Sequence, residues 1–520
     1  MLKRGPAATL AATAAIRRRA APMLAGTTLL SATVLVAVIL MTLVRLVPQV
    51  GLPLWLDETW TATIAGRATW ADFAHEAWLD CNPPLYYAVM KLWVSVAGPS
   101  NIALRLPSFA FMILAAALPL ALPVRGLSRA TRLTWAALLF CWWPGLAITL
   151  DARCYTMLLA ISVMQTILHV ALLQQPSLRR ALAWTICAAL AILTHYYAVA
   201  IVAAQGLVYL HVHRGRTVRT WPALLAFVPT LAWMLHHAPR LAQYARPDVA
   251  WYLPVDAYAL SEFLAYLFGM QTTRFAIIAG AGIVLLWWSI RYRPDPVRDE
   301  VGAIDPAIRW SVTAALGSVA FAIALAVVKP TLSDRYLTPA VPAMLLGLVL
   351  CIRHIRGTHR AFAVLVTVFW LGSAAPYTLT QNLSNRATYG YERSSSYLAA
   401  ARPETLVFAW DHPATKIMAR ESLDRIGGYF LRRDGVPVTV VPVTLRLGED
   451  PSPRLLAAAT GARPAILWLY DSRHGSVAGR DSFAVERQPG WQCRHWRQRW
   501  VGVVACAPAR LFNGPDAPRR

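Results

Sequence analysis

The chain has 520 residues, 57% of them hydrophobic, and a mean hydropathy of +0.45. The apolar residues gather in runs of roughly 17–24, the length that crosses a bilayer, which excludes an ordinary soluble domain; barrel strands are also excluded, being short and alternating where these runs are long and uniform. The net charge of +24, from 50 Lys+Arg against 26 Asp+Glu, would suggest nucleic acid in a soluble protein, but here topology explains it and no nucleic-acid partner is expected.

Lys3, Arg4 and Arg17 to Arg19 precede the first apolar run. That run is too long for the core of a cleaved signal, so it reads as an uncleaved span. About eleven spans follow from the hydrophobic runs: 24–47, 103–123, 133–150, 154–173, 180–194, 196–212, 220–237, 274–290, 308–328, 336–352 and 361–380. The excess of Lys and Arg in cytoplasmic loops orients them. With the N-terminus inside, the short inner segments carry 20 Lys+Arg and only 4 acids. Every short basic loop then falls on one side, and the C-terminus lies outside.

Two apolar stretches are too short to span. Residues 85–98 follow Asn82-Pro83-Pro84 and contain Lys91; residues 256–270 are similar. Both read as interfacial helices, the first within an outer loop of about 48–102. Residues 1–383 thus form a multi-span membrane domain. Residues 384–520 change character, with ETLVFAW, VPVTVVPV and ARPAILWLY as strands and helical segments between them. The alternation predicts a small α/β domain outside the cytoplasm. Its Cys493 and Cys506 flank a candidate hairpin. In an oxidising compartment they are able to pair; two free thiols are the alternative.

The polar residues that invite a chemical role all fall at the outer ends of these spans. Asp57 and Glu58 are adjacent, a few residues beyond the first span. They read either as a solvated loop start or as a general base or metal-binding carboxylate. A positioned carboxylate can take the proton from an acceptor hydroxyl as a bond forms. Adjacent side chains rarely point the same way, so Asp57 is taken as the catalytic group and Glu58 as its support. Asp80 and Asn82 stand before the Pro-Pro pair, which fixes an extended approach to the short helix. Asp151, Arg153 and Tyr155 lie at a tight outer turn; Arg153 suits a phosphate, and a surface ion pair is the bland alternative. His195 and Tyr196 occupy the next outer turn, either in the site or in an aromatic belt. Arg335 and Tyr336 precede the tenth span. An outer arginine runs against the topological bias, and its bidentate fork fits an anionic lipid phosphate.

The ordered set Leu56-Asp57-Glu58, Asn82-Pro83-Pro84-Leu85-Tyr86-Tyr87 and Arg105-Leu106-Pro107-Ser108 resembles the glycosyltransferase family 39-like proteins. These belong to the GT-C superfamily, with the protein O-mannosyltransferases and the bacterial aminoarabinose transferase as relatives. Asp151-Ala152-Arg153-Cys154-Tyr155, Thr194-His195-Tyr196-Tyr197 and Arg335-Tyr336-Leu337 resemble later elements of that family, and the likeness covers about residues 50–345. The resemblance implies a GT-C-like fold in the bacterial inner membrane and a polyprenyl-phosphate-linked sugar donor, with transfer on the outer face. Asp57 would be the base, polyprenyl phosphate the leaving group, and Arg153 and Arg335 its holders. Tyr86, Tyr87 and Arg105 enter the expected substrate site with the residues above. The position before Pro-Pro is often His in this family but is Asn82 here. Asn is a poor metal ligand, so the resemblance leaves a divalent metal open.

The acceptor, whether lipid, glycan or protein, is not specified by these residues. A transporter or lipid flippase is the alternative reading. It predicts charged groups near mid-membrane and broken helices in paired positions. Here ionisable groups gather instead at the outer span ends.

Overall fold

The computed structural model describes residues 40, 43–44, 47–249, 252, 254–269, 304–358, 389–445, 450–471, 483–497 and 501–512. Three expected spans (nearly all of 24–47, and 274–290 and 361–380) and the boundary at 383/384 lie outside the described residues.

Three short helices build the first loop: α1 (Leu56–Ala65), α2 (Trp70–Leu79) and α3 (Leu85–Ala97). Thr69 starts α2 by accepting the Asp72 backbone N–H at 3.0 Å, an N-cap bond that satisfies one of the helix's free donors. The 13 residues of α3 reach only about 20 Å, short of a hydrocarbon core of about 30 Å.

The bundle continues with α4 (Asn101–Ala121), α5 (Arg129–Phe140), α6 (Trp143–Thr149), α7 (Tyr155–Gln174), α8 (Leu178–Thr194) and α9 (Ala198–His213). A 3₁₀ segment (Arg214–Phe227) leads to α10 (Val228–Tyr244). Then come α11 (Ala257–Phe268), α12 (Pro306–Val328), a 3₁₀ turn (Asp334–Ala340) and α13 (Val341–Thr358). The span expected over 133–150 is broken into α5 and α6. Pro144 offers no N–H, and its ring would collide with the carbonyl four residues back. That carbonyl belongs to Phe140, the last residue of α5.

Among the described residues, five helical stretches are long and apolar enough to cross a membrane: Asn101–Ala121, Tyr155–Gln174, Ala198–Tyr244, Pro306–Val328 and Asp334–Cys351. The third holds 47 residues, about 70 Å of helix. It turns at Arg214, whose φ is 47°, so it has the length for two crossings. Leu207, Leu235, Phe321 and Val328 are 67%, 67%, 61% and 84% exposed. Large apolar side chains bare over successive helices need lipid rather than water around them. The protein is a polytopic helical membrane protein.

The C-terminal part is a small sheet domain. Helix α14 (Tyr389–Ala399) precedes β1 (Thr405–Trp410); α15 (Arg420–Gly427) and α16 (Tyr429–Arg433) lead to β2 (Thr439–Pro442). Helix α17 (Ser452–Ala458), β3 (Pro464–Asp471), β4 (Trp491–Arg497) and β5 (Val501–Pro508) complete it. The sheet order is β2-β1-β3-β5-β4, with β1 parallel to β2 and β3, and β5 antiparallel to β3 and β4. Side chains alternate along a strand, and the two faces have different fates. Leu406, Phe408, Leu467, Leu469, Val503 and Ala505 join the same apolar core as the membrane helices. Val407, Ala409, Ile466, Trp468, Val504 and Cys506 form a separate core on the other face. Cys493 and Cys506 stand opposite each other in the β4–β5 pair and are disulfide-bonded.

Candidate active site

The first loop is pinned by a buried ion pair. Arg105, on α4, donates to the Glu58 carboxylate from Nε at 2.8 Å and from a terminal nitrogen at 2.6 Å. It also donates to the carbonyls of Val50, Leu52 and Pro53. Glu58 accepts two backbone N–H groups besides, from Ala152 at 2.9 Å and Trp55 at 3.0 Å. Burial pushes the Glu58 carboxyl up from its usual range, against the pull of the Arg105 hydrogen bond and charge. A buried carboxylate with this many donors is satisfied, and one side chain thereby ties together α1, α4, the chain at 50–53 and the turn at 152.

Asp57 and Arg153 each sit one residue from an anchored position. Successive helix residues are rotated by about 100°, so Asp57 turns to the cavity while Glu58 turns to the core. The cavity, about 550 Å³, lies between the membrane helices and the C-terminal sheet. Asp57, Asp80, Asn82, Arg153, Tyr155, Arg335 and Tyr336 all line it. The Asp57 carboxylate is 3.7 Å from the Arg335 guanidinium. Arg153 donates to the Asp57 carbonyl at 3.1 Å. The Arg335 guanidinium lies 5.9 Å from the Trp55 ring and 5.4 Å from the Tyr155 ring, positions in which the ring faces favour a cation. Asp80 accepts a hydrogen bond from Tyr87 and one from the Cys81 backbone at 2.6 Å. Tyr252 meets the Tyr336 hydroxyl at 2.8 Å.

Other expected site residues stand behind this wall rather than on it. Glu58 is fully buried and Arg105 is 2% exposed, so neither is on the cavity wall; both hold the loop. Asp151 is buried, and its carbonyl accepts the Ser108 hydroxyl at 2.5 Å. Tyr86 is buried beside Tyr87 on α3, and Tyr87, buried as well, donates to Asp80 on the cavity wall. His195 is buried, with its ring 4.7 Å from Tyr336 and 5.8 Å from Tyr155. Burial, and then the charges of Arg153 and Arg335, push its pKa down to about 3, so it is a neutral brace. The Tyr196 hydroxyl meets His237 at 2.6 Å and accepts from Trp233 at 2.9 Å, tying its turn to α10.

The sequence reading missed the far wall. Trp410, His412 and Tyr470 of the C-terminal domain line the cavity, as does Arg240 of α10. The Trp410 and His412 rings are stacked at 4.3 Å. The domain is held there by polar contacts. Glu392 accepts the Leu54 N–H at 2.6 Å, Arg425 pairs with Glu76, and Arg240 donates to the Ile417 carbonyl at 3.1 Å. Glu262, on α11, also reaches the cavity; a lone acid in an apolar segment was its only signal. Among the described residues no group of three or more His, Cys, Asp or Glu is placed to hold a metal ion.

These features define a multi-pass helical membrane protein, with a cavity where the bundle meets an appended sheet domain. Two solved structures carry the same fold, both of ArnT, an aminoarabinose transferase, from Cupriavidus metallidurans. The apo structure superposes with a TM-score of 0.54, covering 92% of this chain and 99% of that one at 16% identity. The structure bound to undecaprenyl phosphate gives 0.51 with the same coverage and identity. At this identity the likeness is one of fold. No family model matches the sequence, and no curated protein matches it.

Proposed function

We propose that the protein is a glycosyltransferase of the bacterial inner membrane. It moves a sugar from a polyprenyl-phosphate donor to an acceptor hydroxyl on the outer face. The observation that carries this reading is Asp57 on the wall of an extended cavity, 3.7 Å from Arg335. A base and a cation at one site are what the reaction needs. Asp57 takes the acceptor proton as its oxygen attacks the anomeric carbon, and the bond to the lipid phosphate breaks with inversion. Arg335 and Arg153 hold the departing phosphate, whose growing charge is where fixed cations contribute most. The ArnT structure with undecaprenyl phosphate supports a lipid-phosphate ligand for this fold.

The finer assignments belong to the same proposal. Eleven spans place the N-terminus in the cytoplasm and residues 384–520 outside. The Cys493–Cys506 bond supports an oxidising compartment for that domain. Two measurements test the reading. Membranes containing the protein should incorporate label from a radiolabelled polyprenyl-phosphate sugar, and incorporation no greater than in membranes lacking it would refute the function. An export-dependent reporter fused to the C-terminus should be active; a silent one, with a cytoplasmic reporter active there instead, would invert the topology.

A further inference from the structure

A second cleft, of about 600 Å³, opens outside the catalytic cavity and is lined by Pro53, Glu392, Arg393, Ser396, Tyr397, Arg494 and Trp496. Its charge is unbalanced by construction. Glu392, the one carboxylate among these residues, is engaged by Arg433 at 2.5 Å, by the Leu54 N–H at 2.6 Å and by the Asn101 amide at 3.1 Å. Among the described residues neither Arg393 nor Arg494 has a carboxylate within ion-pair distance, and both are exposed. The Arg494 guanidinium is held 5.8 Å from the Tyr397 ring and 5.8 Å from the Trp496 ring. The two rings adjoin each other, 6.0 Å apart, and hold the fork without neutralising it. Tyr397 is backed in turn by Phe512, stacked at 4.8 Å.

The position of the cleft bears on what fills it. Asn101 is the first residue of α4, one of the membrane-crossing helices. Its side-chain NH2 donates to the cleft residue Glu392 and its side-chain oxygen Oδ1 accepts from Arg433. The cleft therefore sits at the level where a span ends. That is the headgroup layer, where Trp and Tyr rings are favoured and cations meet lipid phosphate.

We infer that this cleft binds the phosphate of an anionic lipid headgroup, gripped by Arg393 and Arg494 and flanked by Tyr397 and Trp496. A guanidinium fork matches phosphate oxygens bidentately. The lipid would seat the C-terminal domain on the bilayer beside the reaction site. This inference rests on the membrane fold alone and not on the proposed transfer chemistry.

The test uses the full-length protein in detergent, titrated by native mass spectrometry with phosphatidylglycerol and, separately, phosphatidylcholine of the same acyl chains. The wild type should prefer phosphatidylglycerol. The Arg393→Gln/Arg494→Gln variant should bind it more weakly by roughly fivefold per arginine, about 25-fold in all. The Arg420→Gln/Arg487→Gln control removes two exposed charges elsewhere in the same domain and should bind like the wild type. Equal affinity in wild type and cleft variant, at matched unfolding temperatures, would overturn the inference, as would an equal loss in the control. Displacement of the lipid by an equal concentration of inorganic phosphate would make this a site for free phosphate and contradict the lipid assignment.

Discussion

Glu58 accepts two hydrogen bonds from Arg105, at 2.8 and 2.6 Å, in a setting where the side chains are 0% and 2% exposed. This pair holds the loop whose next-door residues, Asp57 and Arg153, face the cavity. Breaking one partner of a buried pair strands the other charge, a loss of about 3–5 kcal/mol. Glu58→Ala should therefore lower the unfolding temperature of the purified protein markedly, while Asp57→Asn should leave it nearly unchanged. Thermal unfolding in detergent separates the two; equal stability of Glu58→Ala and wild type would remove the anchoring role.

Arg335 should matter for donor use. Removing one fixed donor to a developing negative charge costs about a hundred- to a thousandfold in rate. Arg335→Ala is expected to lose transfer on that scale, whereas Arg129→Ala, an exposed arginine at the start of α5, should stay within a factor of about two. Initial rates with saturating acceptor and varied donor decide it, and comparable losses in the two variants would count against the phosphate role.

His195 predicts a pH dependence of stability. Its pKa in the folded protein is about 3, against 6.5 for an ordinary histidine. Between those values the unfolded chain binds a proton that the folded one refuses. Stability therefore falls as pH falls through that window, by at most about 1.4 kcal/mol per pH unit from this group. His195→Gln lacks the term, so its unfolding temperature should decline less between pH 7 and pH 5. Parallel declines in the two proteins would contradict the buried neutral ring.

The disulfide predicts a thiol count. The sequence has seven cysteines, and five of them are free. Titration of the denatured protein should find five thiols before reduction and seven after. Cys493→Ser should also destabilise the sheet domain by about 2–3 kcal/mol, the scale for closing a loop of this length. Seven thiols without reduction would mean that the bond is absent from the native protein.

Much of the membrane side of the site was legible because its signals are local. Arg153 and Arg335 sit at span ends and Asp57 and Asp80 in the first loop between two spans, and hydropathy with loop charge assigns all four to one side. The division between Asp57 and Glu58 also follows from helix geometry, since neighbours diverge by about 100°; what the sequence could not say was that Arg105 is the buried partner. His195 and Tyr196 looked like site residues because polar rings at a span end read alike whether they face a cavity or brace one. The break between α5 and α6 was signalled by Pro144, yet the apolar run concealed it. The far wall was hidden for another reason. Trp410, His412 and Tyr470 are brought to the cavity by domain docking through Glu392–Leu54 and Arg425–Glu76, contacts between residues more than 300 apart in the chain, and long-range pairing leaves no periodicity to read.

The central claim is that the carboxylate of Asp57 removes the acceptor proton. Asp57→Asn keeps the shape and removes the base. In membranes with matched amounts of folded protein and a radiolabelled polyprenyl-phosphate sugar, the variant should lose at least about a hundredfold in transfer rate while its affinity for polyprenyl phosphate changes little. Transfer by Asp57→Asn at the wild-type rate would contradict the account.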